Sequence, residues 1–323
     1  MTRPIIIAID VEPDGRGDVG DRTCEGIAVS IRELGRLRSA LEENTGAPVR
    51  FNWFFRFDPQ VQSTWGRVDW VKEACPNLVD WTQKNGDLLG IHSHFWRWDE
   101  KRDRWFNDFA DAAWREHCLR TCIEGYEGAF QARPIASRCG DRWFSNDLVP
   151  LLRREGIRYD LTIEPGAPDQ PVHDDPYATA WLPDYREAPR RPYRPSESDF
   201  LMAKTESAVS DDDLWMLPVT TTRPARWAPV RRFPYAMKVS RPLNMVLRPT
   251  TVWHCLKIEL SCDDDAPLVL VLRSGDLAQP HFLANFRYIA ERLTKHPGMR
   301  GRRFSRIDDA MTSVVGTRGA AAR

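Results

Sequence analysis

Two acids close to the N-terminus are the first residues in this chain that could do chemistry. Asp10 and Glu12 end the apolar run Ile5-Ile6-Ile7-Ala8-Ile9. A short run of β-branched and aliphatic residues reads as a buried strand, and side chains two apart on a strand share a face. Both carboxylates therefore project the same way at the strand end. Two buried acids side by side repel and desolvate badly, so the pair calls for a cation between them or a proton on one.

The second signal is His92-Ser93-His94. Histidines at i,i+2 on an extended segment point the same way and can chelate one metal ion. With Glu12 they make a set of two histidines and one carboxylate, which leaves positions open for water and substrate. Arg138 ends a further apolar stretch, and Asn52-Trp53-Phe54-Phe55-Arg56-Phe57-Asp58 brings Arg56 and Asp58 to another strand end. Arg56 and Asp58 read either as an internal ion pair or as contacts to a substrate hydroxyl or carboxylate.

These residues need a scaffold that gathers strand ends. Helical periodicity runs from about Ile27 to Leu41, from Val68 to Gln83, from Phe109 to Phe130, from Asp147 to Glu155 and from Phe282 to Leu293. Strands are expected at Val49 to Phe55, Asp87 to His92, Pro134 to Arg138, Ile157 to Thr162, Leu214 to Val219 and Leu268 to Leu272. Strands alternating with helices imply a parallel sheet, and continuously apolar strands imply one covered on both faces or closed into a barrel. In such sheets functional residues collect at the C-terminal edge.

The order Asp10-Val11-Glu12, Gly90-Ile91-His92-Ser93-His94 and Arg138-Cys139-Gly140 with Trp143 and Asn146 resembles the NodB-homology polysaccharide deacetylases, carbohydrate esterase family four. The stretch from Leu151 through Gly156 to Tyr159-Asp160 is similar to the segment after that family's arginine motif. The resemblance covers about the first 160 residues and, more loosely, the last 60. It implies an α/β fold, a deformed (β/α) barrel of the glycoside hydrolase/deacetylase type with a long irregular insertion. It also implies a divalent metal ion, zinc foremost, and hydrolysis of an acyl group on a sugar. Asp10 then resembles the catalytic base, Glu12 and His92 resemble metal ligands, and Arg138 resembles the arginine that keeps the base ionised. Trp96 and Trp143 join Arg56 and Asp58 as candidate substrate contacts.

Two departures stand out. The family's second metal histidine falls at Trp96, so His94 takes its place with strand-type chelation. Its general acid, a histidine after a late strand, falls at Arg273, which cannot donate a proton at ordinary pH. Asp276 and His281 are the nearby alternatives, with Arg273 left to stabilise an oxyanion or bind an anion.

One domain spans residues 1–312, with an irregular insertion at 164–200 and a frayed tail at 313–323. Between Asp213 and Glu259 there is no acid, while Arg223, Arg226, Arg231, Arg232, Lys238, Arg241, Arg248 and Lys257 fall there. Such segregation suggests a surface for an anionic, phosphate-bearing ligand, or peripheral contact with a membrane. Lys plus Arg and Asp plus Glu both number 46, which argues against nucleic acid. Seven scattered cysteines, no leader ahead of Ile5 and no spanning run point to a cytoplasmic protein. Two other readings stay open: a metal-dependent hydrolase of C–N bonds in a non-sugar compound, and a non-catalytic carbohydrate-binding descendant.

Overall fold

The computed structural model describes residues 3–14, 23–172, 180–205, 214–222, 240–262 and 264–321. In chain order the elements are β1 (Ile5–Val11), α1 (Glu25–Thr45), β2 (Asn52–Phe55), α2 (Pro59–Trp65), α3 (Val71–Ala74), α4 (Pro76–Lys84) and β3 (Leu88–Ile91). Next come β4 (Trp96–Asp99), β5 (Arg104–Asn107), α5 (Ala112–Phe130), β6 (Ala136–Ser137), α6 (Leu148–Arg154), β7 (Tyr159–Asp160), β8 (Gln170–Pro171), β9 (Trp181–Leu182) and β10 (Trp215–Met216). The chain closes with α7 (Pro249–Ser261), β11 (Leu268–Arg273), α8 (Pro280–Lys295) and α9 (Ile307–Ala321).

Seven strands form one parallel sheet in the order β10-β7-β6-β3-β2-β1-β11. The sheet curls into a half-barrel, and irregular chain bridges its open side. Thr220 N–H donates to Val269 O at 3.2 Å, Leu243 N–H to Thr220 O at 2.9 Å and Met245 N–H to Val271 O at 2.9 Å.

Alternation along each strand sorts side chains into two cores. Ile5, Ile7, Ile9 and Val11 pack outward against the helices, where Ile27, Leu34, Leu37 and Leu41 of α1 meet them. Ile6, Ala8, Phe54, Leu88, Ala136, Leu217, Val219, Val269 and Val271 fill the inside of the curl. Gly90 belongs to that inner row, and a Cβ there would lie 2.6 Å from Ala136 O and 3.0 Å from the Phe54 ring. Ile307, Ala310 and Met311 of α9 join the same inner cluster. Asn52 ties α9 down by accepting from Ile307 N–H at 2.9 Å.

The helix expected over 68–83 is two helices, because Pro76 lacks the N–H that would continue the first. The long helix begins at Ala112 rather than Phe109, since Asp111 caps it by accepting from Ala113 N–H and Trp114 N–H. Helix α9 runs into the segment expected to fray. The 164–200 stretch carries the β8–β9 hairpin and borders the sheet edge, with Tyr193 and Met216 exchanging backbone hydrogen bonds. All seven cysteines are free thiols. Arg223, Arg226, Arg231, Arg232 and Lys238 of the basic run lie outside the described residues.

Candidate active site

The inner rows lead directly to the site. Continuing each row past its last apolar residue places Asp10 and Glu12 after Ala8, Arg56 after Phe54, and His92 and His94 after Gly90. Arg138 follows Ala136 and Arg273 follows Val271 in the same way. All seven line one cavity of about 520 Å³ at the C-terminal ends of the strands, a volume suited to a small ligand.

Glu12, His92 and His94 form a cluster whose ligand atoms lie within 4.8 Å of one another. His92 Nε2 is 3.5 Å from Glu12 Oε1, His94 Nε2 is 3.7 Å from Glu12 Oε2, and the two Nε2 atoms are 3.1 Å apart. The edges of a tetrahedron around a zinc-sized ion run to roughly 3.3–3.5 Å, close to this triangle. The opposite ring nitrogens are held as well. His92 Nδ1 lies 2.7 Å from Arg138 O and His94 Nδ1 lies 3.1 Å from Asp141 Oδ2. With those protons on Nδ1, two imidazole lone pairs and a carboxylate converge with no donor among them, an arrangement that a cation satisfies. Trp96 Nε1, 3.2 Å from His94 Nδ1, donates only in the other tautomer.

The backbone at Gly140 serves His94. A Cβ on Gly140 would come within 2.3 Å of the imidazole. The next two residues, Asp141 and Arg142, adopt φ of 51° and 60°, uncommon for residues with side chains. That turn sends Asp141 to His94 and Arg142 to Glu164, whose Oε2 accepts from Arg142 Nη1 at 2.7 Å.

The electrostatics are dense. Burial pushes Glu12 upward, but Arg273 and the two histidines hold it well below the usual carboxylate range. Arg273 donates Nε–H to Glu12 Oε1 at 2.9 Å, and Arg56 Nη1 reaches Glu12 Oε2 at 3.4 Å. Burial alone would lower His92, yet the Asp10 and Glu12 carboxylates outweigh it and raise the imidazole. Asp141 likewise falls below its ordinary value, burial being outweighed by His94. Arg138 donates Nε–H to both Asp10 oxygens, at 2.9 and 3.2 Å, and Nη1–H to Leu161 O at 2.6 Å.

Asp10, Glu12, His92, His94, Arg138 and Arg273 thus meet in one place, with Arg56 and Trp96 on the cavity lining. Asp58 does not line the cavity: it is fully buried, pairs with Arg56 Nε at 2.5 Å and caps α2 through Gln60 N–H. Trp143 is also behind the wall, stacked on Phe109 with ring centroids 4.6 Å apart. Asp276 reaches the cavity but is held by Arg273 Nη1 at 3.3 Å, whereas His281 is exposed and rests on Phe282. Sequence reasoning missed Asp141 and Glu164. A carboxylate directly after Gly140, in the loop beyond Arg138, was the signal for the first.

No protein-family model matches the chain, and no curated protein matches it. Among solved structures the chain is similar to a "putative glycoside hydrolase/deacetylase" from Parabacteroides distasonis, with TM-score 0.56, 12% identity and coverage of 96% of this chain and 71% of that one. It is similar to Puue allantoinase at TM-score 0.52, 14% identity and coverage of 96% and 89%. A "probable Polysaccharide deacetylase" from Pseudomonas aeruginosa PAO1 gives TM-score 0.50, 15% identity and coverage of 95% and 90%. At these identities the likeness establishes the fold, a deformed (β/α) barrel of the glycoside hydrolase/deacetylase type.

Proposed function

We propose that this chain is a metal-dependent hydrolase of the polysaccharide deacetylase type, acting in the cytoplasm. It removes an acyl group, acetyl foremost, from an amino-sugar-containing substrate that is phosphate- or nucleotide-linked. The observation that carries the reading is the convergence of Glu12 and both histidine Nε2 atoms beside a separate carboxylate, Asp10, on the lining of one cavity.

Glu12, His92 and His94 would hold a divalent ion, zinc foremost, which when bound supplies Lewis acidity toward the acyl carbonyl and its attacking water. Asp10 is free of that set and paired instead with Arg138, which orients its carboxylate. Asp10 takes a proton as water adds to the carbonyl carbon, then returns it to the nitrogen as the C–N bond breaks. That return route supplies a proton to the leaving amine although Arg273 cannot. Arg273 and Arg56 keep Glu12 ionised and fixed in place.

A wall of residues 241–252 over the cavity also suits a second reading, hydrolysis of a C–N bond in a compact non-sugar compound. Metal analysis of the purified protein tests both. One divalent ion per chain is expected, lost in the His92→Ala, His94→Ala double variant. Protein that never retains metal would sink both enzyme readings and leave the carbohydrate-binding one. Acetate release from N-acetylhexosamines, set against ring opening of cyclic amides, then separates the two substrates.

A further inference from the structure

The cavity that holds the ligand cluster is also lined by Arg241 and Arg248. Five carboxylates line the space, Asp10, Glu12, Asp141, Glu164 and Asp276. Each is engaged: Asp10 by Arg138, Glu12 and Asp276 by Arg273, Asp141 by His94, and Glu164 by Arg142. Arg241 and Arg248 line the same space, and among the described residues no carboxylate pairs with either. Their own stretch of chain cannot supply one, because no acid occurs between Asp213 and Glu259.

The backbone fixes where the two side chains start, Arg241 half-buried and Arg248 exposed. The Arg241 backbone is tied to Thr222, its N–H donating to Thr222 Oγ1 at 3.0 Å and its carbonyl accepting from Thr222 N–H at 2.8 Å. Burial, with the like charges of Arg248 and Arg142, holds the Arg241 guanidinium below its ordinary value against the opposing pull of Glu164. Arg248 stands at φ 47° directly before Pro249, as the N-cap of α7, and gives that helix no side-chain cap. Thr251 in the first turn of α7 lines the cavity too. Crowded like charges beside an uncapped helix start are stabilised by an arriving oxyanion.

We propose that Arg241 and Arg248 form an anion subsite for a phosphate group on the substrate, in the same cavity as Asp10 and Glu12. Phosphate suits it better than carboxylate, since two separate guanidiniums offer more donors than one carboxylate has oxygens to meet. Placing the scissile bond at Asp10 rests on the hydrolase reading. The subsite itself does not.

The test titrates inorganic phosphate into chelator-treated full-length protein by calorimetry, at ionic strength held constant with chloride. One phosphate per chain is expected, bound about tenfold or more less tightly by Arg241→Ala, Arg248→Ala and within about twofold of wild type by His92→Ala, His94→Ala. The Arg241→Lys, Arg248→Lys protein, checked by circular dichroism, should keep part of the affinity and so separates lost charge from lost fold. Absence of binding to wild type, or loss with the histidine variant and not the arginine one, overturns the proposal. Acetate binding as tightly as phosphate overturns the phosphate assignment. Phosphate binding without cleavage of N-acetylglucosamine 6-phosphate or N-acetylglucosamine upholds the subsite and counts against the hydrolase reading alone.

Discussion

At the scale of single residues the site depends on close approach. His94 points at the cluster only because position 140 has no side chain, the imidazole filling the volume that a Cβ would need. Gly140→Ala should therefore turn the ring away while leaving the barrel intact. Divalent-ion affinity, read by competition with a chromophoric chelator, is expected to fall about 10- to 100-fold, the range seen when a ligand's support is disturbed. Unchanged affinity would show that His94 is not held by this contact. Asp10, Glu12, His92, His94 and Arg138 were legible in the sequence because a stride of two along apolar strands dictates where each must point. Asp141 was not, since its role arises from two consecutive left-handed residues that no periodicity announces. Asp58 and Trp143 show the opposite error. Both stand in the right segment, but capping α2 and stacking on Phe109 take them out of the cavity.

At the scale of elements, β6 and β7 are joined by more than their backbones. Asp160 is fully buried, accepting from Ser137 Oγ–H at 2.6 Å and Thr162 N–H at 2.8 Å. Burial pushes its carboxyl up to about 6, with these hydrogen bonds opposing. The native state therefore holds a proton that the unfolded chain has released, in the window between the ordinary aspartate value and about 6. Stability falls as pH rises through that window, and the cost is fully present above it. Asp160→Asn, whose Oδ1 can still accept from Thr162 N–H while its Nδ2–H donates to a reoriented Ser137 Oγ, should stabilise the protein at pH 8 by on the order of 2 kcal/mol and by little at pH 4. Urea melts at the two pH values check this; an equal gain at both would refute it. Elements with strong local signals were readable, among them β1, α1, α5, β11 and α8. The pieces that bridge the open side of the sheet were not. Thr220 and Leu243 pair with β11 through isolated contacts between distant segments, and such pairing leaves no period in the sequence.

At the scale of the whole molecule, the inner core leads to the candidate site at the C-terminal ends of the strands. Helix α9 contributes Ile307, Ala310 and Met311 to the inner core, and the strand rows carry that core upward until its side chains become polar. The same alternation thus supplies the molecule's solidity and its site. The acids at the mouth called, from sequence, for a cation between them or a proton on one. The fold answers them from its own stock: Arg273 and Arg56 on Glu12, and Arg138 on Asp10. Charge at the mouth is thus balanced before any ion arrives, unlike sites whose carboxylates hold the chain open until loaded. Stripping with EDTA should leave circular dichroism unchanged and lower Tm only as far as mass action requires; unfolding on chelation would contradict this. On the proposed reading, loading and folding would be separate events, and the folded chain would exchange one divalent ion for another. The ion held would then be set by supply and by coordination preference, not by which was present when the chain folded.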